Sequence, residues 1–278
     1  MKFFLDSADI NEIKDALSFG ILDGVTTNPS LIKEAVEREK SRGKKIDLDS
    51  YINNILKLCN GKPVSLEVVS SDYENMLREG KMLYKKFNKI AKNVYVKIPI
   101  NPCLELECSN DMEGIRAIKK LSDEKIPVNC TLIFTPEQAL LAAKAGAKFV
   151  SPFVGRVDDY LRETAHIKFN KSDYFPEEGW KDGKKILNDR GIVSGVELIR
   201  EISEIFRKQK IQSEILAASI RNTRQIREVA IAGADIATIP FNVFSKIASH
   251  IKTAEGMQKF TKDIVPEYAK LFGTEIKK

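Results

Sequence analysis

Short apolar runs rich in valine, isoleucine and phenylalanine recur along the chain, and segments with helical periodicity separate most of them. Such runs predict buried strands of a parallel sheet, because both faces of that sheet are covered and polar alternation is lost. Strands that alternate with helices predict an α/β fold, here a (β/α)8 barrel. The predicted strands lie around 3–6, 24–28, 64–69, 94–100, 127–134, 149–154, 214–219 and 236–240.

Helix boundaries are marked by capping residues and glycines. Asp9 is the expected N-cap of a helix that ends near Phe19. Thr135 is the expected N-cap of a second helix, which has Pro136 in its first turn and stops at Gly146. A helix, a glycine and then a strand follow one another in this order again later in the chain, which predicts a structural unit that is used more than once.

We expect one barrel domain over residues 1–278, because barrels of this length commonly fold as a single unit. Two segments exceed a simple repeat, 101–111 and an insert at about 157–194. In a barrel both would follow carboxyl ends of strands, where active sites form, so we expect them to shape substrate access. From about residue 242 the pattern predicts additional C-terminal helices that pack through residues such as Phe260 and Leu271.

Composition indicates a globular cytoplasmic protein. Hydrophobic residues make up 43% and charged residues 30% of the 278 positions. The first apolar run is too short for a signal peptide, and no run reaches the length of a membrane span. We therefore expect no membrane partner. The four cysteines, Cys59, Cys103, Cys108 and Cys130, lack CxxC spacing, so we expect reduced thiols.

The formal net charge is +6, and lysines are interspersed with glutamates on predicted helical faces. This distribution is typical of a solvated surface, and no nucleic-acid-binding motif accompanies it. We therefore expect no nucleic-acid partner. A modest positive potential would nevertheless attract anionic small molecules.

Three ionisable residues lie inside apolar strands: Asp6, Glu67 and Lys97. A buried salt bridge between Lys97 and Glu67 would explain two of them. Burying charges costs several kcal/mol per ion, however, so three such residues together favour a catalytic function. A lysine attacks a carbonyl as the neutral amine, and apolar surroundings favour that form. Lys97 is therefore the candidate Schiff-base nucleophile.

Six motifs resemble those of the transaldolase family, which includes the fructose-6-phosphate aldolases. Together they extend over nearly the whole chain, and the motif at 24–30 is highly specific. They are residues 4–9 (FLDSAD), 24–30 (GVTTNPS), 96–99 (VKIP), 128–134 (VNCTLIF), 151–156 (SPFVGR) and 217–222 (AASIRN).

The resemblance implies a class I aldolase mechanism. Lys97 would form an iminium with C2 of a ketose phosphate, and Asp6 would take the proton of the C4 hydroxyl. The C3–C4 bond would break, an aldose phosphate would leave, and a dihydroxyacetone unit would remain on Lys97. No metal and no organic cofactor is implied.

The resemblance also assigns supporting residues. Glu67 and Thr131 match the pair that holds a catalytic water, and Arg156, Ser219 and Arg221 match the phosphate site. The residues assigned to the rest of the substrate are Asn28, Thr27, Asn129, Ser151 and Phe153, with the alternative that Thr27 only shapes the second strand.

Two positions distinguish the branches of the family. Glu67 and Phe153 stand at positions where the resemblance implies glutamine and tyrosine in the aldolase branch. These two differences favour transfer of the three-carbon unit over its release. The implied activity is transaldolase, with fructose 6-phosphate or sedoheptulose 7-phosphate as donor and erythrose 4-phosphate or glyceraldehyde 3-phosphate as acceptor, in the non-oxidative pentose phosphate pathway. Alternatives are a fructose-6-phosphate aldolase that releases free dihydroxyacetone and a non-catalytic sugar-phosphate-binding protein. We expect a homo-oligomer, and the sequence does not give its size, because the family assembles in several ways.

Overall fold

Eight parallel strands close into a barrel, which confirms the predicted (β/α)8 architecture. The computed structural model describes residues 1–43, 45–105, 108–183 and 185–273. The barrel strands are β1 (Lys2–Asp6), β2 (Gly24–Thr26), β3 (Val64–Glu67), β4 (Val94–Pro99), β5 (Val128–Ile133), β6 (Phe149–Pro152), β9 (Glu214–Ala217) and β10 (Ile236–Ile239). Around the barrel they follow the order β1-β10-β9-β6-β5-β4-β3-β2, so the closing contact joins β1 and β2.

Helices follow the barrel strands and cover them. The two predicted N-caps are confirmed, since Asp9 accepts hydrogen bonds from two backbone N–H groups of its helix and Thr135 forms a reciprocal capping box with Gln138. The helices are α1 (Ile10–Ser18), α2 (Pro29–Ser41), α3 (Leu48–Leu58), α4 (Tyr73–Ala91), α5 (Glu113–Asp123), α6 (Pro136–Lys144), α7 (Val154–Thr164), α8 (Gly195–Gln209), α9 (Thr223–Ala232) and α10 (Phe241–Phe244).

The barrel interior is filled by an apolar layer. Phe4 and Phe149 meet edge to face at 5.9 Å, and Tyr95 stacks on Phe149 at 4.6 Å. Gly24 makes room for this layer, because a Cβ there would lie 2.5 Å from the Phe4 ring. Side chains two residues further along each strand point to the same face. They therefore form a second layer at the carboxyl ends of the strands, and this layer is polar.

The predicted insert at 157–194 begins later than the sequence indicates. Residues up to Thr164 continue α7, because Val157 and Leu161 are buried against the core and keep the helical period. The irregular connection therefore runs from Ala165 to Ser194, and we call it the long connection. It contains a short antiparallel hairpin, β7 (Lys181–Asp182) and β8 (Lys185–Ile186).

The prediction of four reduced thiols is wrong for one pair. Cys103 and Cys108 form a disulfide in the segment that follows β4, where the loop turns back and brings their Cα atoms to 6.1 Å. Residues 106 and 107 of the predicted 101–111 segment lie outside the described residues. Cys59 and Cys130 are free and buried.

The described residues after Phe244 form a second compact unit. It contains α11 (Ile251–Lys262) and α12 (Pro266–Lys270). Phe260 and Leu271 are exposed, contrary to the packing expected for them, since two short helices offer little apolar surface to cover such side chains. The assignment of residues 1–278 to one domain stays a prediction.

Candidate active site

The polar layer of the barrel opens into a cavity of about 190 Å³. Strand ends and the βα connections that follow them supply its walls, as the barrel architecture requires. Nine of the predicted site residues line this cavity: Asp6, Asn28, Lys97, Asn129, Ser151, Phe153, Arg156, Ser219 and Arg221.

Lys97 projects from β4 into the polar layer and is only 5% exposed. Its Nζ donates a hydrogen bond to the carbonyl oxygen of Thr27 at 3.3 Å and lies 3.1 Å from Oε2 of Glu67. Parallel pairing sets Glu67 directly beside Lys97 in the neighbouring strand. The salt bridge considered from the sequence is therefore formed, and it lies beside the cavity, in the polar layer rather than the apolar one.

Burial raises the pKa of Glu67, and the charge of Lys97 opposes this effect. A carboxyl whose pKa is raised exchanges a proton more readily near neutral pH than an ordinary one does. Glu67 does not line the 190 Å³ cavity but lies beside the Lys97 amine. That position suits a group that moves protons to and from a lysine adduct.

Asp6 stands at the end of β1 and shares a hydroxyl network with two threonines. Thr26 donates from Oγ1 to Oδ1 of Asp6 at 2.6 Å, and Thr238 lies 2.6 Å from the same Thr26 oxygen. Because the Thr26 proton points to Asp6, Thr238 is the donor in the second bond. Burial raises the pKa of Asp6, whereas Lys97 and the Thr26 hydrogen bond lower it.

Amide and hydroxyl groups form one wall of the cavity. Ser151 donates to Oδ1 of Asn129 at 2.7 Å, and Asn129 donates from Nδ2 to Oγ of Ser65 at 3.1 Å. Asn28 caps α2 by accepting from the N–H of Leu31 at 3.0 Å, so its amide nitrogen is the group available to a ligand. Short polar groups of this kind match the hydroxyls of a small polyol.

Thr27 and Thr131 are buried beside the cavity instead of lining it. Thr27 donates to the carbonyl of Ser65 at 2.7 Å and presents its own carbonyl to Lys97, so it positions the lysine. Thr131 Oγ1 has no hydrogen-bond partner among the described residues. The next residue, Leu132, has φ 59°, and the β5–β6 register shifts at this point, a bulge that changes the direction of the neighbouring side chains.

Two arginines supply the positive end of the cavity. Arg156 lies over the ring of Phe153 with its guanidinium carbon 5.1 Å from the ring centroid. Arg221 donates to Oδ2 of Asp159 at 3.0 Å, while its buried Nε has no partner among the residues described here. Ser219 adopts φ 60°, which turns the chain between β9 and α9 toward the cavity. A guanidinium group in such a turn, with a second one supplied by Arg156 from α7, suits a phosphate.

Sequence reasoning missed several residues of the cavity. Thr238 carries no signal, because threonine is common in strands. Asp159 contacts Arg221 from outside the cavity lining and carries no signal either, because an acidic residue is common on a helix. Lys171 also lines the cavity, although it belongs to the long connection, 15 residues beyond Arg156. Only the structure brings it near the arginines.

Comparison with known proteins identifies the family of this chain. A family model described as transaldolase/fructose-6-phosphate aldolase matches residues 3–278. The chain belongs to this family. It is 42% identical over 263 residues to a probable transaldolase of Aquifex aeolicus, covering 95% of this chain and 96% of that protein. It is 43% identical over 264 residues to a probable transaldolase of Thermoplasma acidophilum, with 95% of each chain covered.

A third relative, a probable transaldolase of Anaeromyxobacter dehalogenans, is 38% identical over 272 residues, covering 97% of this chain and all of that protein. Family membership and these relatives indicate an enzyme of the aldolase or transaldolase type. Of the helices in the described ranges, none is both long and apolar enough to cross a membrane. Among the described residues, no group of three or more His, Cys, Asp or Glu side chains is placed to hold a metal ion.

Proposed function

We propose that the protein is a transaldolase that moves a dihydroxyacetone unit between phosphorylated sugars through a Schiff base on Lys97. The observation that carries this proposal is a single arrangement: a buried lysine amine 3.1 Å from the Glu67 carboxylate, in a polar barrel cavity that also exposes Asp6. The donor would be fructose 6-phosphate or sedoheptulose 7-phosphate, and the acceptor erythrose 4-phosphate or glyceraldehyde 3-phosphate.

In the first half-reaction the neutral Lys97 amine attacks the C2 carbonyl of the ketose, and water leaves as the iminium forms. Asp6 accepts the proton of the C4 hydroxyl, the C3–C4 bond breaks, and its electron pair moves into the iminium to give an enamine. The C4 carbonyl formed in this way leaves as an aldose phosphate. Glu67 beside the amine transfers protons during imine formation.

In the second half-reaction the enamine carbon attacks the aldehyde of the acceptor, and Asp6 returns its proton to the new alkoxide. Water then hydrolyses the iminium and frees Lys97. Thr131 and Glu67 are the groups we propose for holding that water. The Glu67 carboxylate lies 3.1 Å from the Lys97 amine, and the buried Thr131 hydroxyl has no hydrogen-bond partner among the described residues.

Phosphate selection is assigned to Arg156, Ser219 and Arg221. A charge-assisted hydrogen bond contributes about 1.5–3 kcal/mol, so the loss of one arginine should weaken binding of a phosphorylated sugar by roughly ten- to a hundredfold. We further propose that the protein acts in the cytoplasm as a homo-oligomer, in the non-oxidative pentose phosphate pathway, a proposal that rests on its family membership.

The competing function is fructose-6-phosphate aldolase activity, which releases free dihydroxyacetone. Glu67 and Phe153 favour transfer, because the aldolase branch of the family carries glutamine and tyrosine at these two positions. The test supplies fructose 6-phosphate and erythrose 4-phosphate and measures sedoheptulose 7-phosphate against free dihydroxyacetone. We expect sedoheptulose 7-phosphate to dominate in the wild type and free dihydroxyacetone to increase in the Glu67→Gln, Phe153→Tyr double variant.

Free dihydroxyacetone as the main product of the wild type would contradict transaldolase in favour of the aldolase. Binding of fructose 6-phosphate without any turnover would instead identify a non-catalytic sugar-phosphate-binding protein.

A further inference from the structure

Lys171 lies on the long connection and lines the same cavity as Arg156 and Arg221. Together with Ser219, the two arginines form what we call the phosphate end of the site. We propose that Lys171 is a third cation of this end and determines specificity for phosphorylated sugars. This inference rests on the proposed function and extends it to a segment outside the barrel strands. It makes the long connection part of the substrate site.

The turn that carries Lys171 is closed on itself. Asn170 donates its backbone N–H to Oδ2 of Asp173 at 2.7 Å, and Asp173 returns its N–H to the carbonyl of Asn170 at 2.9 Å. These two bonds define the backbone on both sides of Lys171. The backbone that carries Lys171 is thus held in a formed turn, which lowers the conformational entropy lost when the lysine binds a ligand.

A buried arginine of α7 anchors this turn. Arg162, whose side chain is 3% exposed, donates from Nη2 to the carbonyl of Asp173 at 3.0 Å. Its guanidinium carbon lies 4.9 Å from the ring centroids of both Phe169 and Phe175. Because this cation is enclosed by two rings and bonded to the turn, it fixes the long connection to the helix that also carries Arg156.

A second anchor ties the turn to the loop of Arg221. Asn222 donates from Nδ2 to the carbonyl of Ser172 at 3.4 Å, next to Lys171. Tyr174 stacks on Arg224, with 3.5 Å between guanidinium carbon and ring centroid, and accepts a 2.7 Å hydrogen bond from it. Lys171 and Arg221 are therefore held on connected segments.

The charges of the site leave a role for a third cation. A sugar phosphate carries a charge of about −1.5 to −2 at pH 7. Asp159 lies 3.0 Å from Arg221 and 3.8 Å from Arg162, so it offsets part of the charge of Arg221. Lys171 forms no ion pair with any residue that the structure describes, so its charge is available to a phosphate dianion.

The test compares Lys171→Met with Lys168→Met, a matched control, because Lys168 is an exposed lysine of the same connection that does not line the cavity. We expect Lys171→Met to raise the KM for fructose 6-phosphate by about three- to tenfold while kcat changes less, since an exposed cation mainly affects binding. Lys171→Arg keeps the charge and should retain most of the affinity.

Inorganic phosphate, titrated calorimetrically into the three variants and the wild type, gives a readout that needs no turnover. We expect the Kd to rise in Lys171→Met by a factor similar to the rise in KM, and to stay at the wild-type value in Lys168→Met. Equal phosphate affinity of Lys171→Met and wild type would overturn the inference, as would an equal loss in the control. If the wild type transfers no three-carbon unit, the transaldolase proposal fails separately, and the phosphate titration still decides the role of Lys171.

Discussion

At the residue scale, two carboxyl groups, one lining the cavity and one beside it, are suited to different tasks by their neighbours. Asp6 is held by the Thr26 hydroxyl and faces the cavity, where a substrate hydroxyl would lie. Glu67 pairs with the Lys97 amine and lies beside the cavity. Burial raises the pKa of both, so each can exchange a proton under mild conditions. These positions support the proposed roles of Asp6 in bond cleavage and of Glu67 in imine chemistry.

Asp6 must be ionised to accept a proton, and its pKa is raised by burial. We expect kcat/KM of the wild type to fall as the pH drops through that raised pKa, at a higher pH than an ordinary aspartate would give. Asp6→Asn should lower kcat by about 10²- to 10⁴-fold, the usual contribution of a general base. The check is a pH–rate profile of both proteins with fructose 6-phosphate and erythrose 4-phosphate.

Because Asp6→Asn leaves Lys97 in place, the variant should still form a borohydride-reducible adduct with fructose 6-phosphate. An active Asp6→Asn enzyme, or an acid limb at the pH of an unperturbed carboxylate, would show that another group accepts the proton.

At the element scale, the phosphate end depends on the close approach of α7 to the connection between β9 and α9. Gly155 makes this approach possible, since a Cβ there would lie 2.3 Å from the carbonyl oxygen of Ser219 and 2.6 Å from Nε of Arg221. Backbone hydrogen bonds join the two segments, from Val154 to Ala218 at 3.0 Å and from Gly155 to Ser219 at 3.1 Å. The position of the arginine is thus set by helix packing.

Gly155→Ala should therefore displace Ser219 and Arg221 and weaken phosphate binding. We expect the KM for fructose 6-phosphate to rise about tenfold or more, and the free energy of unfolding to fall by about 1–3 kcal/mol, as is usual for overpacking. Kinetics and denaturant unfolding measure the two effects.

The matched control is Gly256→Ala in α11, where a Cβ meets nothing within 4 Å. This change should leave KM unaltered and stabilise the helix slightly, because glycine is a poor helix former. An unchanged KM in Gly155→Ala would mean that the loop of Arg221 does not depend on this contact.

Much of the barrel could be predicted from the sequence, because its strands are apolar runs and its helices begin at capping residues such as Asp9 and Thr135. Lys97 and Asp6 were recognisable because charged residues are costly in such strands. The start of the long connection could not be recognised from the sequence, because no residue pattern marks the point near Thr164 where α7 ends. Lys171 was hidden for another reason: its proximity to Arg221 depends on tertiary contacts that no local pattern records.

At the scale of the whole molecule, one buried carboxyl links three helices around the phosphate end. Asp158 of α7 accepts from the N–H of Gly195 at the start of α8, at 2.8 Å, and from Nε2 of Gln225 in α9, at 2.9 Å. Gln225 in turn accepts from the backbone N–H of Arg221 at 2.8 Å. Burial raises the pKa of Asp158 from 3.8 to about 7. Stability of this region is therefore coupled to pH.

Because the folded pKa of Asp158 exceeds the unfolded value, the folded state retains the proton longer than the unfolded chain does. The stability gained in this way is fully present below about pH 4 and is lost as the pH rises through about 7, a change of about 4 kcal/mol. Asp158→Asn removes the titration, so its free energy of unfolding should depend less on pH across this range. Denaturant unfolding at several pH values tests this, and identical slopes in both proteins would contradict it.

The central claim is that Lys97 carries the three-carbon unit. The most direct measurement incubates the protein with fructose 6-phosphate, reduces it with borohydride and locates the adduct by peptide mass. We expect a dihydroxyacetone adduct on the peptide that contains Lys97, and no adduct in Lys97→Arg. An unmodified Lys97 peptide, or an adduct on another lysine, would contradict the proposed mechanism.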